Sequence, residues 1–241
     1  MPLAGVGFFA DTQDYLIFST MSADQTIRIL VVGCGNMGAS HAKAYEAHHA
    51  FEICGLVSRG SSKKTLKEAL KGDYPLFDDY ESALRQTKPD AVCISTYPET
   101  HEPYTLAALE MGCHVFLEKP IATTVAGGLR ISEKAKSLNK KVVVGYILRH
   151  HLVWKRFIEE AQKLGKPLVM RMNLNQQSQG YMWNVHKSLM QSLSPIVDCG
   201  VHYLDVMCQM TQAKPVSVSA IGARLTDEIP ADNYNYGQLQ I

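Results

Sequence analysis

The sequence lacks the features that mark a membrane protein or a nucleic-acid-binding protein. No run of about 18 apolar residues occurs, which excludes a membrane-spanning helix. Charge of one sign is not in excess, because 24 lysines and arginines face 23 aspartates and glutamates, for a formal net charge of +1. There is also no basic stripe with interleaved aromatic residues and no zinc-ligand spacing. We therefore expect a small-molecule partner, with no nucleic acid and no membrane contact.

Paired cysteines are missing as well. The six cysteines form no CxxC pair, and several lie in apolar, strand-like runs such as 52–57 and 90–94. We expect buried, reduced thiols and a cytoplasmic protein. Cys34 has an alternative, a low-pKa thiol exposed beside a helix N-terminus. The adjacent pairs His48-His49 and His150-His151 point apart on a helix, so we predict no metal site.

From Ile27 onward, short β-branched runs alternate with amphipathic helical stretches. This alternation is typical of a parallel sheet covered on both faces, a doubly wound α/β fold. The predicted strands are 27–33, 51–57, 90–95, 113–117 and 141–145, and the predicted helices are 37–48, 62–71, 79–86, 100–111 and 124–138. We interpret residues 1–26 as a leader that is disordered or upstream of the true start, with Met21 as the initiator.

The pattern changes near residue 149, which predicts a first domain over 27–148 and a second, α+β domain over 149–241. The second domain is predicted to contain a helix at 152–164, a strand at 167–177, a helix at 194–210 and strands at 215–224 and 234–241. The last strand has no turn or cap after it. We therefore expect a C-terminal open sheet that is truncated.

A glycine-rich turn, Gly33-Cys34-Gly35-Asn36-Met37-Gly38, separates the first predicted strand from the first predicted helix. Gly33 permits a tight exit from the strand, Gly35 lets backbone N–H groups approach a pyrophosphate, and Gly38 lets the helix lie close to the sheet. The positive end of the helix dipole favours the anion there. This strand–turn–helix setting predicts a dinucleotide-binding Rossmann domain.

The second strand ends at Ser58 and Arg59, where NAD enzymes usually carry an acidic residue against the adenine ribose. A carboxylate would repel a 2′-phosphate, whereas Arg59 offers a bidentate fork and Ser58 a hydroxyl. Ser61, Lys63 and Lys64 add donors nearby. We therefore expect NADP(H) to be preferred, with NAD(H) possible. The alternative is a solvated basic helix start.

Two further segments follow predicted strands and so reach the carboxyl edge of the sheet, where open α/β folds bind ligands. In the first, Thr96, Pro98 and His101 are predicted to line the nicotinamide side, with His101 reaching the ribose. The second is Glu118-Lys119-Pro120. A lysine between a carboxylate and a proline at a strand end has few structural uses, so we expect it to be functional.

Asp198 and His202 stand four residues apart on a predicted helix, which places both on one face. This spacing suits an oriented acid–base pair, although an exposed, helix-stabilising Asp–His pair would have the same spacing. Asp205 is a further candidate partner of His202, and the sequence does not rank the two carboxylates.

Together these segments resemble the Gfo/Idh/MocA family of oxidoreductases. The segments that carry the resemblance are 33–38, 90–101, Glu118-Lys119-Pro120, 145–149 and 198–205. The resemblance implies a Rossmann domain followed by an open-sheet domain that covers the nicotinamide and forms a homo-oligomer interface. It further implies a cis Lys119–Pro120 bond.

The resemblance also implies roles for single residues. Lys119 and His202 would bracket the reacting carbon, and Asp198 would orient or tune them. His202, or Lys119 in some members, would take the hydroxyl proton during oxidation. Glu118 and Lys119 would also contact the cofactor. Substrate contacts are expected at Lys119, Asp198 and His202, and at Arg149 and His150. After Arg149, residues 150–152 (His-His-Leu) replace the family's Phe-x-Pro.

We therefore expect an NAD(P)-dependent oxidoreductase that moves a hydride between nicotinamide and a sugar, cyclitol or related polyhydroxylated substrate. The alternative is a dinucleotide-binding regulator of the same fold without turnover. The sequence does not identify the substrate or the direction of the reaction.

Overall fold

The computed structural model describes residues 26–166, 169–175 and 178–241. The predicted leader at 1–26 therefore lies outside the described residues, except for Thr26. The chain divides into two compact units, one that ends at Ala91 and one that begins at Val92.

The first unit contains β1 (Ile27–Val32), α1 (Asn36–Ala47), β2 (Phe51–Val57), α2 (Ser62–Ala69), β3 (Leu76–Phe77) and α3 (Tyr80–Thr87). The second contains β4 (Ala91–Ile94) from Val92 onward, followed by α4 (His101–Glu110), β5 (His114–Leu117), α5 (Val125–Ser137) and β6 (Val142–Val144). Short 3₁₀ turns at Pro98–Thr100 and Ile147–Arg149 follow β4 and β6. These bounds confirm the five predicted strands and five predicted helices of this part of the chain.

The six strands form one sheet in the order β3-β2-β1-β4-β5-β6. The pairs β1–β2, β2–β3 and β5–β6 are parallel. The apolar runs that define the central strands are buried; Leu30, Val92 and Leu117, for example, have no exposed surface. This order and burial confirm the doubly wound α/β fold. The sequence missed β3, because a strand of two residues has no hydrophobic period.

Side-chain caps explain where two of the helices begin. The Asp79 carboxylate accepts a hydrogen bond from the Ser82 N–H at 2.7 Å and starts α3. The Thr124 hydroxyl accepts one from the Gly127 N–H at 3.0 Å and starts α5. In contrast, α1 begins at Gly35 with no side-chain cap. The N–H groups of its first turn are therefore available for another acceptor.

The rest of the second unit contains α6 (Leu152–Gln162), α7 (Gly180–Leu189), a π-helical turn (Ile196–Gly200), α8 (Val201–Thr211) and the antiparallel strands β7 (Ser219–Ala223) and β8 (Tyr236–Gln240). Helices α6 and α8 pack through Ile158, Val206 and Met210. No helix in the ranges given above is long and apolar enough to span a bilayer.

Most predictions for this part of the chain are confirmed, with three differences. Residues 169–175 form no strand, so the strand predicted at 167–177 is wrong there; residues 167–168 and 176–177 lie outside the described part. Helix α7 was missed, because its first residue is Gly180, and glycine in a sequence is more typical of a turn than of a helix; its φ is 57°. The helix predicted at 194–210 contains a π turn at its start.

Candidate active site

The glycine turn leaves β1 as the sequence predicts. Gly33 has a φ of 90°, a conformation that favours glycine, and its N–H donates to the Val57 carbonyl at 2.9 Å. This bond ties the start of the turn to the end of the neighbouring strand β2. The turn is therefore fixed before α1 begins.

Gly35 is the N-cap of α1, and the space beside it is open. A Cβ built on Gly35 would meet no heavy atom within 4 Å, and its backbone (φ −76°, ψ −165°) is extended. The first turn of α1 contains no acidic residue. Asn36 and Met37 open the helix, while Gly38 is buried in it. An uncapped helix N-terminus beside an open cradle suits a pyrophosphate, so the residues present fit a dinucleotide.

Cys34 is not the reactive thiol that the alternative hypothesis required. Its side chain is buried and its thiol donates to the Val57 carbonyl at 3.4 Å. Burial raises the pKa of Cys34 to about 11. All six cysteines lie in the described residues and none forms a disulfide; four are buried, as expected from the sequence. Within the described residues, no three His, Cys, Asp or Glu side chains are grouped so as to hold a metal ion.

The loop after β2 carries the residues predicted to select the cofactor. Arg59 is exposed, and the Ser58 and Ser62 hydroxyls are hydrogen-bonded to each other at 2.7 Å. Lys63 differs from the prediction, because it is buried. Its ammonium group donates inward to the Ser58 and Gly60 carbonyls at 2.6 and 2.8 Å and to the Asp78 carboxylate at 2.6 Å. Lys63 is therefore not a donor for a bound phosphate.

The loop after β4 is held by its own threonines. The Thr96 and Thr100 hydroxyls are hydrogen-bonded at 2.6 Å, and the Thr100 hydroxyl donates to the Tyr97 carbonyl at 2.8 Å. Pro98 is buried at the first position of the 3₁₀ turn. Thr96 is half-buried, so its predicted cofactor contact stays a prediction.

The prediction that His101 reaches the ribose is wrong. Its side chain has no exposed surface, and its Nδ1 and Nε2 lie 2.6 Å from the Pro120 carbonyl oxygen and 3.1 Å from that of Thr96. Both ring nitrogens therefore face backbone within the protein. Burial lowers the pKa of His101. His101 connects the loop after β4 with the segment after β5 instead of reaching a ligand.

Lys119 lies where the sequence predicts, directly after β5, and the Lys119–Pro120 bond is cis as the resemblance implied. The Lys119 ammonium donates to the Asp198 carboxylate at 2.7 Å and to the Asp198 carbonyl at 2.8 Å. The side chains are 20% and 18% exposed. Glu118 is buried, and its carboxylate accepts a hydrogen bond from the Lys119 N–H at 3.2 Å. Lys119 is thus oriented from two sides while part of it remains accessible.

Asp198 pairs with Lys119, not with His202. Asp198 lies in the π turn, and His202 lies in the first turn of α8. The His202 Nδ1 is buried and has no hydrogen-bond partner among the described residues. Burial lowers the pKa of His202, and the positive charge of Lys119 lowers it further. The imidazole is therefore neutral near pH 7 and able to accept a proton.

Arg149 and Asp205 form a pair of their own. The Arg149 Nε donates to both Asp205 carboxylate oxygens at 3.1 and 2.8 Å, and its Nη2 donates to one of them. The Asp205 carboxylate is therefore hydrogen-bonded to Arg149, and it acts on His202 only through its charge, which raises the pKa of His202 against the larger effect of burial. Arg149 also lies over the Tyr146 ring, 5.3 Å from its centroid. His150, the next residue, is exposed.

Sequence reasoning assigned no role to Tyr146. Its ring meets the His202 ring edge-on, with centroids 6.4 Å apart, and burial raises the pKa of its hydroxyl. Tyr146 thus lies against both His202 and Arg149. The signal available in the sequence was its position in the segment Gly145–Arg149, which already carried part of the resemblance.

Two family models match this chain. The oxidoreductase family model with an NAD-binding Rossmann fold (Gfo/Idh/MocA) matches residues 27–146, and the Gfo/Idh/MocA C-terminal domain model matches residues 155–241. Together they cover most of the sequence.

Relatives and solved structures agree with these matches. The inositol 2-dehydrogenase of Paracoccus denitrificans is 29% identical over 153 residues, which is 60% of this chain and 44% of the relative. The D-glucoside 3-dehydrogenase of Escherichia coli is 29% identical over 184 residues, 74% of this chain and 52% of the relative. The apo scyllo-inositol dehydrogenase of Lactobacillus casei has the same fold, with a TM-score of 0.73 at 22% identity over 90% of this chain and 65% of that one.

The chain spans about half the length of the curated relatives it matches. The chain is a member of the Gfo/Idh/MocA family of oxidoreductases, as its glycine turn, its sheet and the two matching family models show.

Proposed function

We propose that the protein is an NAD(P)-dependent dehydrogenase or reductase that acts on a CH–OH group of a sugar, cyclitol or related polyhydroxylated compound. Residues 27–148 would bind the dinucleotide and supply Lys119, and residues 149–241 would supply the other substrate contacts. The observation that carries the proposal is the Lys119–Asp198 ion pair, whose Lys119 charge acts on His202, in a chain whose glycine turn fits a pyrophosphate. The named relatives act on inositol and on a glucoside, which supports this substrate class.

The dinucleotide would be held by Gly33, Gly35, Asn36, Met37 and Gly38, with the ribose at Ser58 and Arg59. When bound, it supplies the acceptor or donor of a hydride. The neutral His202 imidazole takes the proton of the substrate hydroxyl during oxidation and returns it during reduction. The Lys119 ammonium, held by Asp198, donates a hydrogen bond to the substrate oxygen and stabilises negative charge that develops on it. Arg149, fixed by Asp205, and His150 would complete the substrate contacts.

The experiment that tests this function has two parts. Isothermal titration of the chain with NADP⁺ and NAD⁺ measures dinucleotide binding, and absorbance of the reduced cofactor measures turnover with myo-inositol, scyllo-inositol and methyl glucoside. Binding with turnover is expected. Binding with no turnover on any polyol or sugar would favour the dinucleotide-binding regulator, and binding of neither dinucleotide would contradict the proposal.

We further propose that NADP(H) is preferred, because an exposed Arg59 stands where NAD enzymes carry an acidic residue. Arg59→Glu is expected to weaken NADP⁺ binding about 100-fold, since charge-assisted bonds to the 2′-phosphate are lost and replaced by repulsion. NAD⁺ binding should be little changed. Calorimetric dissociation constants for both dinucleotides check this.

The matched control for Arg59 is Arg85→Glu. Arg85 is also exposed and lies on α3, where it pairs with Glu81 at 3.2 Å. It receives the same charge reversal away from the loop after β2. Equal shifts in both variants, or no shift in Arg59→Glu, would refute the role of Arg59.

The lowered pKa of His202 predicts the pH dependence of oxidation. The reaction needs the unprotonated imidazole, so kcat/KM should fall as pH drops through the His202 pKa. Because burial lowers that pKa, the midpoint of the acidic limb should lie below the value of about 6.5 for a free histidine. His202→Gln should remove the limb as well as slow the reaction. A midpoint above 6.5 that survives in His202→Gln would assign the base to another group.

We also propose a cytoplasmic location and a homo-oligomeric state. None of the six described cysteines forms a disulfide, which fits a reducing compartment. Strands β7 and β8 expose apolar side chains, including Ile221 and Tyr236, which fits a subunit interface on this sheet.

A further inference from the structure

We propose that Lys63 is a positioning residue for cofactor selectivity. In this inference, Lys63 fixes the backbone of the loop at residues 58–60, so that Ser58 and Arg59 are presented to the adenosine ribose in one arrangement. The inference rests on the proposed dinucleotide-binding function. It assigns to Lys63 a role that needs no contact with the ligand.

The Lys63 ammonium group is buried and all of its hydrogen-bond donors are used. The Lys63 side chain is only 8% exposed, although lysine is rarely buried unless it is paired. An ammonium group has three donors, and Lys63 has three acceptors: the Ser58 carbonyl at 2.6 Å, the Gly60 carbonyl at 2.8 Å and the Asp78 carboxylate at 2.6 Å. Lys63 therefore joins α2 to the loop before it and to the residue that follows β3.

The loop at residues 58–60 is also fixed where it leaves β2, by hydrogen bonds at Val57 and Ser58. The Val57 carbonyl accepts from the Gly33 N–H at 2.9 Å and from the Cys34 thiol at 3.4 Å. The Ser58 N–H donates to the Phe77 carbonyl at 3.1 Å. The loop thus begins at a fixed strand end, and the Lys63 bonds to Ser58 and Gly60 fix the residues on each side of Arg59.

The charge of the Lys63 ammonium group offers little attraction for an anion. Asp78 neutralises the Lys63 ammonium, so Lys63 contributes geometry more than attraction for an anion. The exposed positive group of the loop is Arg59. A loop that is ordered before binding spares the ligand the cost of ordering it. This gain is larger for a dinucleotide with a 2′-phosphate, because only the phosphate needs the Ser58 and Arg59 donors together.

The test compares Lys63→Met with Lys67→Met in the full chain. Lys67 lies one turn further along α2 and also forms an ion pair with an aspartate, Asp73. The control therefore loses the same charge from the same helix without touching the loop. Calorimetry with NADP⁺ and NAD⁺ gives the ratio of the two dissociation constants. We expect selectivity for NADP⁺ to fall about tenfold in Lys63→Met and to stay unchanged in Lys67→Met.

A second variant, Asp78→Asn, keeps the inference testable if Lys63→Met does not fold. Asp78→Asn removes the ionic partner but leaves the two carbonyl bonds of Lys63, and the Asp78 side chain is 81% exposed, so the change is mild for the fold. Selectivity for NADP⁺ should fall as in Lys63→Met but by a smaller factor, whereas a rise would show that the Lys63 charge itself attracts the 2′-phosphate and would overturn the inference. If Lys63→Met does not fold, the Asp78→Asn ratio decides.

The outcomes separate this inference from the function on which it rests. Binding of neither dinucleotide by the unmodified chain contradicts the proposed function, and the inference falls with it. Normal binding by the unmodified chain with unchanged selectivity in Lys63→Met and Asp78→Asn overturns the inference alone. Equal weakening of both dinucleotides also overturns it, because a general structural role would act on both.

Discussion

Replacing Lys119 with alanine is expected to lower kcat by about 1000-fold, while dinucleotide binding stays nearly unchanged. The Lys119 ammonium is held by the Asp198 carboxylate at 2.7 Å and by the Asp198 carbonyl at 2.8 Å. It is therefore oriented before a substrate arrives. Loss of this donor removes the stabilisation of charge on the substrate oxygen, which exists mainly in the transition state. Turnover with the active polyol and calorimetric titration with the dinucleotide measure the two effects separately.

The matched control is Lys187→Ala. Lys187 is a half-buried lysine of the same compact unit, and its ammonium donates to the Glu228 carboxylate at 2.9 Å. The Lys187→Ala variant thus loses a comparable ion pair that is not part of the Lys119–Asp198 pair. Unchanged kcat in Lys119→Ala, or the same loss in Lys187→Ala, would contradict the role of Lys119.

Gly35→Val should abolish dinucleotide binding in a protein that folds normally. A Cβ at Gly35 meets nothing within 4 Å, and the extended backbone there suits valine. The added methyl groups would instead fill the space in front of the uncapped N-terminus of α1. We expect the dissociation constant to rise by at least about 100-fold, because the pyrophosphate can no longer reach the N–H groups. The Tm should shift by no more than about 3 °C.

Ala44→Val provides the control for this change. Ala44 is exposed on the same helix, and valine there lowers helix propensity by about 0.6 kcal/mol without approaching the turn. Both variants should show a similar small change in Tm, but only Gly35→Val should lose binding. Normal dinucleotide binding in Gly35→Val would exclude the glycine turn as the pyrophosphate site.

The parts of this protein that the sequence predicts well are those governed by local patterns. The strands Ile27–Val32 and Phe51–Val57 are recognisable because each ends in a run without charged residues, 29–32 and 53–57, which is buried in the parallel sheet. The glycine turn is also local, since φ at Gly33 and the open space at Gly35 depend on a few neighbouring residues. Such features require no knowledge of distant partners.

The errors concern side chains whose partners lie far apart in sequence or compete with one another. His101 was predicted to reach a ribose, but its ring is occupied by the carbonyl of Pro120, 19 residues later. Lys63 was predicted as a surface donor, but Asp78 and two carbonyls draw it inward. His202 had two candidate partners, Asp198 and Asp205, but Asp198 pairs with Lys119 and Arg149 binds Asp205 in a bidentate geometry. Only packing decides among such choices.

The π-helical turn at Ile196–Gly200 has a consequence for how this site can diverge. A π turn holds one more residue than an α turn, so it places Asp198 by the local count of residues as much as by their identity. Deleting one residue there would restore a regular helix and rotate Asp198 away from Lys119, whereas replacing a neighbouring side chain would leave the count intact. During evolution, we therefore expect this segment to accept substitutions more readily than insertions or deletions.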